Sequence, residues 1–180
     1  MKTLLETGSR MADALAHRMA RRSMTPMPET TASSATELQR LPHCIWANQR
    51  WIEHVDSACL SDVRSMPVSH VLLGEQAWFD RLDGKEPTGS LWRPLPIDEQ
   101  REMLRAHELT YRRLLVADLS TRLEYVRFSG DRYSSSIGDI VRHLVTHGAH
   151  HRGQLAAHVS SNGVPVINTD FLGYCMQHQI

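Results

Sequence analysis

Between Ser136 and the Asn162-Gly163 pair the chain carries one continuous helical pattern. Inside it, His143-Leu-Val-Thr-His147-Gly-Ala-His150-His151-Arg152-Gly153-Gln154 packs four of the eleven histidines into nine residues. At about 100° per residue, with His143 at 0°, His147 falls at about 40°, His158 at about 60° and His151 at about 80°. On the same wheel Ile140 falls at about 60°, Leu144 at about 100°, Leu155 at about 120°, and Val141 and Val159 at about 160°. His147, His151 and His158 are therefore expected inside or beside the stripe this helix must bury, with His143 and His150 toward its edge. A fold that accepts this helix must supply partners for buried imidazoles, because each unpaired buried polar group costs about 1–3 kcal/mol. Hydrogen bonds to carboxylates or backbone are one answer. A shared metal ion is the other: two histidines four apart stand one turn apart on one face. Imidazole suits zinc, nickel, copper or iron, and a third ligand from elsewhere would complete a site.

The pattern is not that of a zinc peptidase. Gly148 stands in His147-x-x-x-His151 where such enzymes carry the glutamate that acts as base.

The rest of the chain reads as further helices. Apolar residues at Leu41, Ile45, Trp46, Trp51, Ile52 and Val55 predict a helix from Leu38 to about Leu60. Pro67 suits the first turn of a second, which Asp83-Gly84 ends. Residues 84–96, with three prolines and two glycines, form a loop. A third helix opens at Ile97-Asp98, with Met103, Leu104, Leu109, Leu114, Leu115 and Leu119 as its expected apolar face. Tyr125-Val-Arg-Phe128 and Arg132-Tyr-Ser134 flank Ser129-Gly130-Asp131 and predict a small hairpin. Ser136, with Asp139 three residues on, reads as the N-cap of the fourth helix. A short C-terminal helix is expected near Asp170 to Gln177. The fold class expected is all-α: a four-helix bundle with a hairpin or irregular segment before the fourth helix.

At 180 residues the chain is long enough for a sizeable core. Residues 1–36 read as a flexible N-terminal extension and 37–180 as the domain. The Pro-, Ser- and Thr-rich run from Met24 to Ala35 resembles a linker. Either the extension is a mobile tail, or the start is placed too far upstream and Met24 or Met27 is the true one. Twenty basic residues balance twenty acidic ones, and no basic stripe invites nucleic acid. No apolar run approaches the roughly 20 residues of a membrane helix. Cys44, Cys59 and Cys175 are odd in number and widely spaced, which favours a reducing cytoplasm over a disulfide framework. Cys44 and Cys175 have no visible activating neighbour.

The fourth-helix run, ending in His-His-Arg-Gly-Gln, resembles the signature of the DinB family, of the DinB/YfiT-like superfamily. Trp46-Ala-Asn-Gln-Arg-Trp51 is similar to that family's first helix. Ser69-His70-Val-Leu-Leu-Gly-Glu75-Gln-Ala-Trp78-Phe-Asp-Arg81-Leu82 is similar to its second. The resemblance covers about residues 37–178, with the connection near Ser61 to Met66 shorter than usual. It implies a DinB/YfiT-like four-helix bundle, often a homodimer, with a divalent metal held by His70 of the second helix and His147 and His151 of the fourth. Zinc or nickel is the foremost expectation for the ion, then iron or manganese. Family members include thiol-dependent S-transferases and isomerases, so the resemblance implies a metal-dependent enzyme with a small-molecule substrate or a low-molecular-weight thiol. A non-catalytic, stress-related dimeric bundle is the alternative. Taken alone, His70 reads as a satisfied core histidine. Glu75, just over a turn beyond it, is a candidate general base or ligand-orienting group, or else a structural carboxylate. His150 reads as a hydrogen-bonding or dimer-contact residue, Arg152 as a partner for a carboxylate, and Gln154 as a hydrogen-bonding group. Trp46, Trp51, Trp78 and Trp92 read as core or loop anchors.

Overall fold

The computed structural model describes residues 37–60 and 66–179. The expected N-terminal extension, and all but the last residue of the short connection before the second helix, lie outside the described residues. The fold is mostly helical. Among the described residues there are four long helices, α1 (Leu41–Ser57), α2 (Met66–Leu82), α3 (Ile97–Leu114) and α4 (Ile137–Ser161), with a small hairpin of β1 (Arg122–Val126) and β2 (Arg132–Ser136) before α4 and a short α5 (Phe171–His178) after it. No described helix is long and apolar enough to cross a membrane.

Local chemistry sets the ends. Pro42 occupies the first turn of α1, where its missing N–H costs nothing. That helix closes in a left-handed turn at Cys59, φ 53°, with the Leu60 N–H bonded back to Val55 O. Gly84 (φ 71°) and Gly163 (φ 73°) follow α2 and α4 in the same left-handed region. Ser136 caps α4 as its spacing predicts: its Oγ accepts from the Asp139 N–H at 3.1 Å and donates to Asp139 Oδ2 at 2.8 Å. The hairpin pairs antiparallel, with Arg122 opposite Ser136 and Val126 opposite Arg132.

Each long helix packs mainly on two others: α2 lies between α4 and α3, and α1 between α3 and α4. The interior holds two apolar clusters. One gathers Trp51, Ile52, Val55, Leu72, Leu104 and Leu155; the other gathers Leu41, Phe79, Tyr111, Ile140, Val141 and Leu144. On every long helix a polar residue falls between the segments that feed these clusters: Asn48, Glu75, His107 and Arg152, all buried. They join in a chain. Arg152 Nη1 donates to Asn48 Oδ1 at 2.9 Å, and Asn48 Nδ2 donates to Glu75 Oε1 at 2.9 Å. His107 Nδ1 lies 2.9 Å from Glu75 Oε2, and its Nε2 lies 3.1 Å from Gln76 Oε1. A polar layer thus crosses all four long helices between two oily ones.

Two sequence expectations are corrected here. Leu109 and Leu115 do not face the core; they are 68% and 41% exposed. The buried stripe of α3 is Gln100, Leu104, His107, Tyr111 and Leu114: Leu104 and Leu114 face the core as expected and Met103 and Leu119 pack against it, while the polar Gln100 and His107 are buried where hydropathy put Leu109 and Leu115. His158 is exposed rather than beside the buried stripe. With 25 residues α4 outruns its 17- and 18-residue neighbours, so its last turns have less to pack against.

Candidate metal centre

The site forms where the middle of α4 crosses α2. His70 projects from the first half of α2, and His147 and His151 from successive turns of α4. Ring centroids stand 5.1 Å apart for His70 and His147, 4.4 Å for His70 and His151, and 4.5 Å for His147 and His151. One nitrogen of each ring lies within 4.8 Å of the others. Zinc–imidazole bonds are about 2.0–2.1 Å long, so a bound ion would draw the nitrogens closer than that upper bound. Among the described residues no fourth His, Cys, Asp or Glu joins this group.

The backbone makes room for the cluster. A Cβ added at Gly74 would lie 3.1 Å from His147 Cε1, so the glycine in the middle of α2 is what allows His147 to lie against that helix. Gly148, at the position a peptidase gives to glutamate, has a comparable task. A Cβ there would meet Arg152 Nη1 at 2.8 Å, and the guanidinium folds over it to reach Asn48.

Hydrogen bonds orient two of the rings. His70 Nδ1 is 3.0 Å from Leu91 O. A carbonyl only accepts, so Nδ1 carries the hydrogen and the Nε2 lone pair of the neutral ring is left for a ligand. His151 Nδ1 lies 2.8 Å from Gln154 Oε1, while Gln154 Nε2 faces His150 Nε2 at 3.0 Å. Gln154 thus ties His150 to His151, and His150 stays on the exposed rim as a hydrogen-bonding residue. Metal-ligating histidines are commonly held in this way by a group on the other ring nitrogen.

Electrostatics favour neutral imidazoles. Burial, then the neighbouring histidines, holds His147 down to about 3. Burial also lowers His70, against the bond to Leu91, and lowers His151, with His70 adding to the effect and Gln154 opposing it. Three converging neutral rings with no counter-charge are a poor arrangement for protons and a suitable donor set for a divalent cation.

The other candidate residues fall elsewhere. Glu75 is buried with one oxygen on Asn48 and the other on His107; no hydrogen bond joins it to His70, His147 or His151. Arg152, expected to meet a carboxylate, meets the Asn48 amide instead. Cys44 is buried and its thiol is pushed up to about 11, chiefly by burial, so it is no nucleophile. Trp92, read as a loop anchor, is 59% exposed yet stacks on His70 with ring centroids 3.6 Å apart and planes 11° apart. Its part in the site was hidden because a loop has no periodicity to place it. Gly74 was missed because its role appears only when α4 is laid against it.

These features define a helical domain with three imidazoles gathered between its second and fourth long helices. The chain belongs to the DinB family, whose family model matches residues 61–179 and so takes in all three histidines. No curated protein and no solved structure matches it.

Proposed function

We propose that this protein is a metal-dependent enzyme that holds one divalent ion on His70, His147 and His151, with zinc or nickel the best fit and iron or manganese next. The observation that carries the reading is the convergence of three neutral imidazoles, two of them braced from behind, with no fourth His, Cys, Asp or Glu beside them among the described residues. A three-ligand set leaves coordination positions for water or substrate, as catalytic rather than structural sites do. A bound ion supplies Lewis acidity and lowers the pKa of a water or thiol attached to it. The residues of this chain do the rest: Leu91 O and Gln154 fix two rings, Gly74 admits the third, and Trp92 covers one face of His70.

The reaction class proposed is thiol-dependent S-transfer to a small electrophile, by likeness to DinB-family members with that activity. The four long helices are taken as the DinB/YfiT-like bundle of residues 37–180, acting as a cytoplasmic homodimer without nucleic-acid or membrane partners. One observation favours a second reading, a non-catalytic, stress-related metal-binding module: both oxygens of Glu75 are engaged in the polar layer, which leaves it poorly placed as a general base. Elemental analysis of protein purified without a polyhistidine tag, paired with a screen of low-molecular-weight thiols against electrophiles, decides between the two. Metal-dependent turnover that is lost in His70→Ala supports the enzyme. One ion per chain with no turnover across the screen supports the binding module.

A further inference from the structure

Beside His147 a recess of about 240 Å³ opens between α2, the hairpin and α4. For scale, a cavity of about 150 Å³ is enough to take up benzene. Trp78, Tyr125 and Phe128 supply aromatic walls, and the Trp78 and Tyr125 rings meet edge to face at 5.0 Å. His143 and His147 line it from α4, and Arg81 and Arg127 also border it.

Arg81 is the unexplained group. It is only 8% exposed, yet among the described residues no carboxylate comes within ion-pair distance of it. Its Nε is buried with no hydrogen-bond partner. Its two other nitrogens reach only Ala77 O and Val126 O, both at 3.4 Å, the long limit of such bonds. Asp80, its neighbour in sequence, accepts instead from Gln76 Nε2 at 2.8 Å. Glu86 and Glu124 share a neighbouring cavity with it but do not pair with it. What Arg81 has is aromatic: its guanidinium lies 5.0 Å from the Trp78 ring centre, 5.3 Å from Tyr125 and 5.2 Å from Phe128. Burial pulls its pKa below the usual value, with Tyr125 and Asp80 opposing. A buried cation that keeps its charge without a counter-ion is costly. Ring faces offset only part of that cost.

The geometry points to an anion-binding substrate pocket: Arg81, with Arg127, receives the carboxylate of a small planar organic acid whose flat body lies against Trp78, Tyr125 and Phe128, one end toward His147. A guanidinium fork matches a carboxylate bidentately, and the flat walls suit an unsaturated or aromatic body. This names a substrate class for the metal site and rests on that reading for its functional meaning, but the pocket itself is built by residues that do not ligate the ion.

Benzoate serves as the probe, titrated calorimetrically into the full-length protein both zinc-loaded and EDTA-treated, with benzamide as the uncharged match. Benzoate is expected to bind in both states, at least about tenfold more tightly than benzamide, and to lose at least about tenfold in Arg81→Gln, the loss of one charged hydrogen-bond partner. If Arg81→Gln does not fold, Arg127→Gln at the exposed rim is expected to weaken benzoate, but not benzamide, by a smaller factor. Equal binding of benzoate and benzamide overturns the proposal. So does benzoate binding that survives Arg81→Gln but vanishes with EDTA, because the carboxylate would then sit on the metal. A wild-type chain that binds benzoate through Arg81 yet retains no zinc supports the pocket and defeats only the metal reading.

Discussion

Two groups of buried or half-buried polar side chains lie close together in this molecule and are built on opposite principles. In the polar layer of Asn48, Glu75, His107 and Arg152 every group is answered: a guanidinium by an amide oxygen, an amide by a carboxylate, a carboxylate by an imidazole. In the histidine cluster the rings face one another, and like groups answer none of each other's needs. Both sets cost desolvation, but the first recovers it throughout, whereas the second recovers it only where His70 meets Leu91 O and His151 meets Gln154. The difference separates scaffold from site: satisfied polar groups fix which helices meet and in what register, while donors that converge on one another call for something from outside.

That contrast is open to attack at several points. The largest effect is expected in the polar layer. Glu75→Ala removes the layer's carboxylate, leaving Asn48 and His107 without their partner and the Arg152 charge uncompensated, and should cost about 3–5 kcal/mol in urea unfolding, while the fraction that still folds keeps its metal. A loss under about 1 kcal/mol would mean that the layer is not the scaffold described. Next comes the bracing of the cluster. Gln154→Ala frees His151 and should weaken metal affinity by about 10–100-fold, measured by competition with a chromophoric chelator, with little change in stability because Gln154 is exposed. Gly74→Ala pushes against His147 at 3.1 Å and is expected to weaken metal by about tenfold, within the range for groups that orient a ligand.

The smallest effect is on pH dependence, and its sign follows from the burial of the rings. His147 is held near 3 in the folded chain against an ordinary value of 6.5, and His70, His143 and His151 shift in the same direction. Between those values the unfolded chain takes up protons that the folded chain refuses, so folding loses stability as pH falls. The metal-free protein should therefore hold its melting temperature above about pH 6.5 and lose it progressively below. A melting temperature that is flat from pH 8 to pH 5 would mean that these rings are better solvated than their surroundings imply.

Much of this was legible in the sequence, and what was not has definite causes. The i,i+4 spacing of His147 and His151 needs only helical geometry to place both rings on one face. Pro67, Gly84, Ser136 and Gly163 mark helix ends by chemistry that acts within a few residues. His70 was different: its own surroundings read as core, and only the resemblance of the second helix to the DinB family joined it to the other two. Leu109 and Leu115 were misplaced on α3 because Gln100 and His107 are buried instead, for the sake of partners on other elements, which no one-dimensional pattern records. Trp92 and Leu91 reach His70 from a loop 21 residues away, and Arg81 earns meaning only once the hairpin brings Tyr125 and Phe128 over it. The residues that escaped notice are those whose role exists only between elements.

Metal stoichiometry is the decisive measurement. Untagged protein should be measured by elemental analysis after dialysis against zinc, beside His147→Ala, His151→Ala and Glu75→Gln. About one ion per chain is expected in wild type and in Glu75→Gln, and none retained in either histidine variant, each of which remains folded. Full metallation of both histidine variants would contradict it.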